Sequence, residues 1–488
     1  MPTSTQDMHL KTRAVQGVLW VSLARLLGQA ISWGFTLFVI RILTPSDYGL
    51  MGKAVAIIAL LQLLNEMGLG AAIIQKQDVP NSHLSTLFWL NLALSFTLYC
   101  LIFAAAPSVA HFLENDELTK LLRILGINLI LGSMRTIQLN LLMKAMAFNK
   151  KSKAELTANI CASITALVLA FLGFAVWSLV LSALVQNVVL TILFWYFHPW
   201  RPDWVFTVRQ ILELLRFGIK YLMSSLLWYA SDATDILIVA KMLGEHLLGF
   251  YTVALTFSSK GVDLLSEIIS QVSFPLYAML QRDIVLFQRS FLRISRLIAL
   301  VVFPVFVGLI VAADDLFGIL LTEKWRPAVP VFQILCGAAI AKGLAFMLPR
   351  VLTAAGRVDL NFRLMLVSAL VMPPAFLIGT RFGLIGVAVA SFIVYPCLLA
   401  YALTLTLRII QLPVRAYAHA IWPPIAATGF MLLLVLIFRL LITPEHPAFQ
   451  LAGMSLIGVT SYLACMHWMV DLTAEFSFLP ISLRRHTT

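Results

Sequence analysis

Long stretches of Leu, Ile, Val, Ala and Phe, each closed by a short polar cluster, follow one another from about residue 15 to residue 469. Apolar runs of about 18 residues or more, at about 1.5 Å of rise per residue, cross the roughly 30 Å of hydrocarbon in a bilayer. Within each run the apolar residues are continuous, so the period of two that marks a transmembrane barrel is missing. In lipid, only the helix then satisfies every backbone group within its own segment. The pattern predicts an all-α integral membrane protein with about fourteen transmembrane helices. They are expected near 15–43, 49–74, 84–106, 118–143, 154–172, 175–197, 214–240, 248–274, 291–313, 329–349, 362–380, 384–407, 418–442 and 449–469.

Composition agrees with the pattern. The 488 residues are 60% hydrophobic and 12% charged, with a mean hydropathy of +0.92, where a soluble protein carries about 25% charged residues. The net charge of +12 would suit nucleic acid, but no basic stretch is separated from an apolar span by more than a short loop, so no nucleic-acid partner is expected. The five cysteines lie in or beside apolar segments without a CxxC pair, and the nine histidines are scattered, which points to neither disulfide nor metal. GxSxG, P-loop and HExxH motifs are absent, so a transporter without a cofactor is expected rather than an enzyme. The first apolar run is too long for a cleaved signal and is expected to remain as the first helix.

Charge sets the orientation, because Lys and Arg concentrate in short cytoplasmic loops. With the N-terminus cytoplasmic, 22 of the 35 cations fall on the inside and nine on the outside, among them Arg123, Lys53, Lys241 and Arg439. The acidic clusters Glu114, Asp116, Glu117 and Asp314, Asp315, Glu323 also fall outside. An even number of spans puts both termini in the cytoplasm.

The chain carries an internal repeat. IRILTPSDYGLMGKA (Ile40 to Ala54) lies on AKMLGEHLLGFYTVA (Ala240 to Ala254), matching Arg41 with Lys241 and Gly49 with Gly249, and Gly173 pairs with Gly383 in a second match. Helices one to six then repeat as seven to twelve, and an even number per repeat makes the two lobes parallel. The expected organisation is an N-lobe over 1–197, a cytoplasmic linker over 198–213, a C-lobe over 214–407, and helices thirteen and fourteen with a cytoplasmic tail over 408–488.

Four cations remain inside apolar segments: Arg25, Arg135, Lys260 and Lys342. A charge at a helix centre costs about 2.5 to 3.5 kcal/mol on the insertion scale, so each is expected to face a cavity or a partner. Together they suggest an electropositive cavity for an anionic group such as phosphate, with Arg as a bidentate fork and Lys as a point charge. Structural pairing is the alternative. Lys260 has Asp263 one turn away, whereas Arg25, Arg135 and Lys342 have no acid within a turn. Asp232 and Asp235, and Asp263 and Glu267, share helix faces and could carry H⁺ or Na⁺, or simply neutralise the cations. Glu66 could line the cavity, and Pro304, Pro373, Pro374 and Pro396 could bend their helices.

RILTPSDYGLMGKA, with Arg41, Leu43, Pro45, Tyr48 and Gly49, resembles the ARxLGPxxYG opening of the polysaccharide transporter family of the multidrug/oligosaccharidyl-lipid/polysaccharide exporter superfamily, with Thr44 in place of its first Gly. LNEMGLGAAIIQKQD, GFAVWSLV and VSFPLYAMLQRD also resemble its lipopolysaccharide and exopolysaccharide exporter branch. The resemblance implies two six-helix lobes in a V shape, alternating access, and flipping of undecaprenyl-pyrophosphate-linked oligosaccharide across the bacterial inner membrane. A monomer associated with polysaccharide assembly proteins fits that reading. A multidrug or cation antiporter of the same superfamily and a flippase for the peptidoglycan precursor remain as alternatives. A drug site should be acidic and aromatic, and a glycosyl polymerase should carry a large outer loop.

Overall fold

The computed structural model describes residues 32–66, 80–145, 147–206, 222, 225–227, 229–231, 233–279, 283–442 and 447–469. These residues are mostly helical, with no strand among them, and they include eleven helices long and apolar enough to cross a membrane. Contacts divide the chain into two compact units, Met1–Gly249 and Phe250–Thr488.

In the first unit the helices are α1 (Ser32–Ile42), α2 (Pro45–Glu66), α3 (Asn81–Phe112), α4 (Glu117–Leu125), α5 (Ile127–Lys144), α6 (Phe148–Phe171), α7 (Val176–Phe197) and α8 (Thr234–Met242). The unit ends inside α9 (Gly244–Met279). The second unit continues with α10 (Ile284–Leu320), α11 (Ala328–Ala345), α12 (Leu348–Ala354), α13 (Val358–Thr380), α14 (Gly383–Ile409), α15 (Val414–Leu441) and α16 (Pro447–Met469). The span expected at 15–43 is described only over α1, and that at 214–240 only over its C-terminal part.

Helix starts follow local chemistry. Asp283 caps α10 by accepting a hydrogen bond from the Leu286 amide at 3.0 Å. Gly173 and Gly383, the pair matched in the second repeat alignment, both adopt positive φ (80° and 70°) at the turns into α7 and α14, where a side chain would be strained.

The prolines within spans do not end their helices: α3 runs through Pro107, α10 through Pro304 and α15 through Pro424. Each lacks an N–H and so leaves the carbonyl four residues earlier without its helical donor. In all three cases a side chain from a neighbouring helix takes the freed oxygen. Arg123 Nε donates to Phe103 O at 3.3 Å, the Tyr462 hydroxyl to Leu300 O at 2.8 Å, and Arg296 Nε to Ala420 O at 2.9 Å. Where the freed oxygen lies within the hydrocarbon no water can do this, and such a side chain makes the proline tolerable.

The first half of the expected linker is fixed in place. Asp203 accepts from Asn81 Nδ2 at 2.5 Å, its backbone amide donates to Ser85 Oγ at 3.0 Å, and its carbonyl accepts from Trp89 Nε1 at 2.9 Å. Trp89 and Trp204 stack at 4.3 Å, and Arg201 caps the end of α7 by donating to Trp195 O at 2.9 Å. His198 Nδ1 accepts from the Trp200 amide at 3.1 Å. Burial, then the positive charges of Lys150 and Arg201, push its pKa below the usual 6.5 and keep the ring neutral.

Candidate substrate site

Arg135 sits on α5, nine residues and so about 14 Å from the end of the helix at Lys144, near the middle of a bilayer-spanning segment. Its guanidinium Nη1 donates to Asn187 Oδ1 on α7 at 2.7 Å and approaches Asn187 O at 3.4 Å. The acid whose charge reaches Arg135 is Glu66, at the end of α2. The structure thus places an acid on another helix within electrostatic reach, with the arginine held by a neutral amide.

The other candidates fall elsewhere. Arg25 and Asp232 lie outside the described residues, and of Asp263 and Glu267 only the backbone, on α9, is described. Lys260, on α9 in the second unit, is exposed. Lys342, on α11, lies 5.5 Å from the Tyr395 ring centroid, within reach of a cation–π contact. Asp235 is buried in the first turn of α8 and accepts from the Ile236 amide at 2.7 Å.

Sequence reasoning missed the polar groups that organise the first unit. Lys53, assigned to an outer helix end, is 3% exposed inside α2. It donates to Leu113 O at 3.0 Å and lies 3.7 Å from Glu245. Asn115 Nδ2 donates to the same carboxylate at 2.6 Å. Lys241 bonds Phe112 O at 2.6 Å and Glu114 at 2.8 Å, and this hydrogen bond, with the charge behind it, holds Glu114 below the usual carboxylate range. Two lysines therefore cap the C-terminal carbonyls of α3, where the helix dipole is negative. Cations and acids assigned separately to the outside meet here, as they do in the second unit, where Arg439 lies 3.9 Å from Asp315 and 4.0 Å from Asp314.

Beside this cluster α2 and α9 cross in backbone contact. A Cβ on Gly49 would lie 1.8 Å from Glu245 O, and one on Gly249 would lie 1.8 Å from Pro45 O. Shifting by 200 residues exchanges Gly49 with Gly249 and Pro45 with Glu245, so the crossing maps onto itself under the repeat. The Ser46 hydroxyl and His246 Nδ1, equivalent under the same shift, face each other at 3.3 Å. Apart from this crossing, the second unit holds an apolar cavity of about 410 Å³ bounded by α10, α15 and α16, with Pro304, Met431 and Tyr462 in its wall.

Long apolar helices that hold a cation and hydrogen-bonding groups near their middle are what a membrane transporter needs. The model of a family described as polysaccharide biosynthesis protein matches residues 38–330, and the chain belongs to that family. It is 26% identical over 422 residues to the lipopolysaccharide biosynthesis protein WzxC of Escherichia coli, covering 86% of each chain. It is 24% identical over 304 residues to the succinoglycan biosynthesis transport protein ExoT of Rhizobium meliloti, covering 62% of this chain and 61% of that one. Its fold is that of the lipid II flippase MurJ in an inward closed conformation, with a TM-score of 0.74 at 15% identity over 93% of this chain and 100% of the other. The chain is a transporter of polysaccharide biosynthesis, as the motif resemblance implied.

Proposed function

We propose that the protein flips undecaprenyl-pyrophosphate-linked oligosaccharide, a lipopolysaccharide or exopolysaccharide precursor, from the cytoplasmic to the periplasmic leaflet of the inner membrane by alternating access. The observation that carries the reading is Arg135: a permanent cation at mid-depth, steadied by Asn187 at 2.7 Å, is a fit receptor for a pyrophosphate that must cross the hydrocarbon. Lys342, Lys260 and Arg25 complete the cationic path in this proposal, and Asp235 with Asp232, Asp263 and Glu267 would carry H⁺ or Na⁺ if the cycle is ion-coupled. Fourteen spans in two parallel lobes, cytoplasmic termini and a working monomer belong to the same proposal.

The test is depletion of the protein in its native host, followed by assay of lipid-linked oligosaccharide with an impermeant glycosidase to assign the leaflet. Cytoplasm-facing material should accumulate, and its absence would favour an antiporter. Arg135→Ala and Lys342→Ala should each lower export by about tenfold or more while the protein remains folded in the membrane. Wild-type export by both variants would remove the cationic site.

A further inference from the structure

The first unit holds a second cavity, of about 210 Å³, bounded by α1, α2, α6 and α7. Its wall is polar but carries no formal charge: Ser32, Ser163, Asn159 and Gln186 meet there, with Phe35 and Tyr48. Asn159 lies at the centre of α6 and Gln186 at the centre of α7, so the cavity reaches mid-membrane depth. Such groups usually serve as interhelical glue, and part of the set does: Ser32 and Ser163 share a hydrogen bond of 3.3 Å, and Gln186 Nε2 donates to Asn159 Oδ1 at 2.5 Å. Thr36 and Ser182 turn their hydroxyls back to carbonyls of their own helices.

Glue alone does not account for the amide pair. Its single bond uses one atom of each side chain and leaves the Asn159 amide donor and the Gln186 carbonyl acceptor without a partner among the described residues. A donor and an acceptor on paired amides, in an uncharged cavity that Phe35 and Tyr48 also line, match adjacent hydroxyls on a sugar ring, whose C–H face packs on an aromatic side chain. The volume is below the range of about 300 to 1,000 Å³ usual for drug-sized ligands, and fits one ring rather than a whole repeat unit. The next residue on α7, Asn187, holds Arg135. Arg135 and Gln186 thus share a depth in the membrane, on different faces of α7.

We propose that this cavity is a sugar-binding subsite that takes one neutral pyranose of the transported glycan, with Asn159 Nδ2 donating to and Gln186 Oε1 accepting from neighbouring hydroxyls. The proposal rests on the flippase reading. The test uses the full chain in proteoliposomes with two substrates: lipid-linked oligosaccharide extracted from the depleted host, and sugar-free undecaprenyl pyrophosphate. Asn159→Leu and Gln186→Leu should slow flipping of the glycosylated carrier about tenfold and leave the sugar-free carrier at the wild-type rate. Equal slowing of both substrates would assign the amides to structure and overturn the subsite, as would wild-type rates with both, and either leaves the flippase reading standing. Failure of the wild-type protein to flip either substrate would remove the flippase reading and the subsite with it. If the leucine variants do not fold, thiol modification of Ser163→Cys, read by peptide mass spectrometry, decides. Glucose, galactose or N-acetylglucosamine should slow it about fivefold, and no slowing by any of them would overturn the proposal.

Discussion

Tyr462→Phe removes one hydroxyl and nothing else, and the structure says what that hydroxyl is for. Pro304 leaves Leu300 O without its helical donor, and the Tyr462 hydroxyl, on a residue 5% exposed, fills the gap at 2.8 Å. Side-chain bonds between membrane helices average about 0.6 kcal/mol, because the separated groups find other partners. Here the acceptor would be stranded in an apolar wall, at a cost of about 1 to 3 kcal/mol. The proline makes the account testable. In a Pro304→Ala background the restored N–H returns to Leu300 O, and Tyr462→Phe should then cost less than about 0.5 kcal/mol. The four proteins of this cycle can be compared by reversible unfolding in mixed dodecyl maltoside and dodecyl sulfate micelles. A coupling energy of about 1 kcal/mol or more is expected, independent of what Pro304→Ala does by itself. If Tyr462→Phe costs the same in both backgrounds, the freed carbonyl is not what the tyrosine serves, and the same explanation for Arg123 at Phe103 and Arg296 at Ala420 loses its basis.

Three further outcomes are expected. Cysteines at Ser46 and His246, whose side chains meet at 3.3 Å, should form a disulfide. Gly249→Ala should slow that reaction about five-fold or more, because its Cβ would stand 1.8 Å from Pro45 O and must move the helices apart at about 1 to 3 kcal/mol; an unchanged rate would contradict the crossing. Lys53→Met keeps the aliphatic stem but leaves Leu113 O and Glu245 without their ammonium, and should destabilise the protein by about 1 to 3 kcal/mol in thermal unfolding followed by size-exclusion chromatography, more than Glu245→Gln does. His198, held neutral with its pKa below 6.5, should make the protein less stable as the pH falls through and below 6.5, because the unfolded chain takes up the proton first; the loss levels off below the folded-state pKa. His198→Gln should flatten that part of the profile of melting temperature against pH.

The sequence by itself determined the class of this protein, because continuous apolar runs leave the backbone no partner but its own helix. It also offered a repeat alignment: Gly49 and Gly249, paired there by a few matching letters, are two positions where α2 and α9 come into backbone contact. Arg135 was legible as a candidate because a cation in the middle of an apolar run is costly wherever the chain folds. Its partners were not. Asn187 lies 52 residues away, so only packing could bring it to the guanidinium, and Glu66, within electrostatic reach, is on a helix that sequence spacing does not connect to α5. The partners of Lys53 were hidden for the related reason that distance from a helix end says nothing of what lies beside it, and the structure places it under the end of α3. Asn159 and Gln186 carry no charge and pass as ordinary polar residues among many; they become a candidate site only where α6 and α7 meet around a cavity. Hydropathy and charge act locally and can be read along the chain, whereas the match of donor to acceptor depends on distances between segments, and those are fixed only when the helices pack.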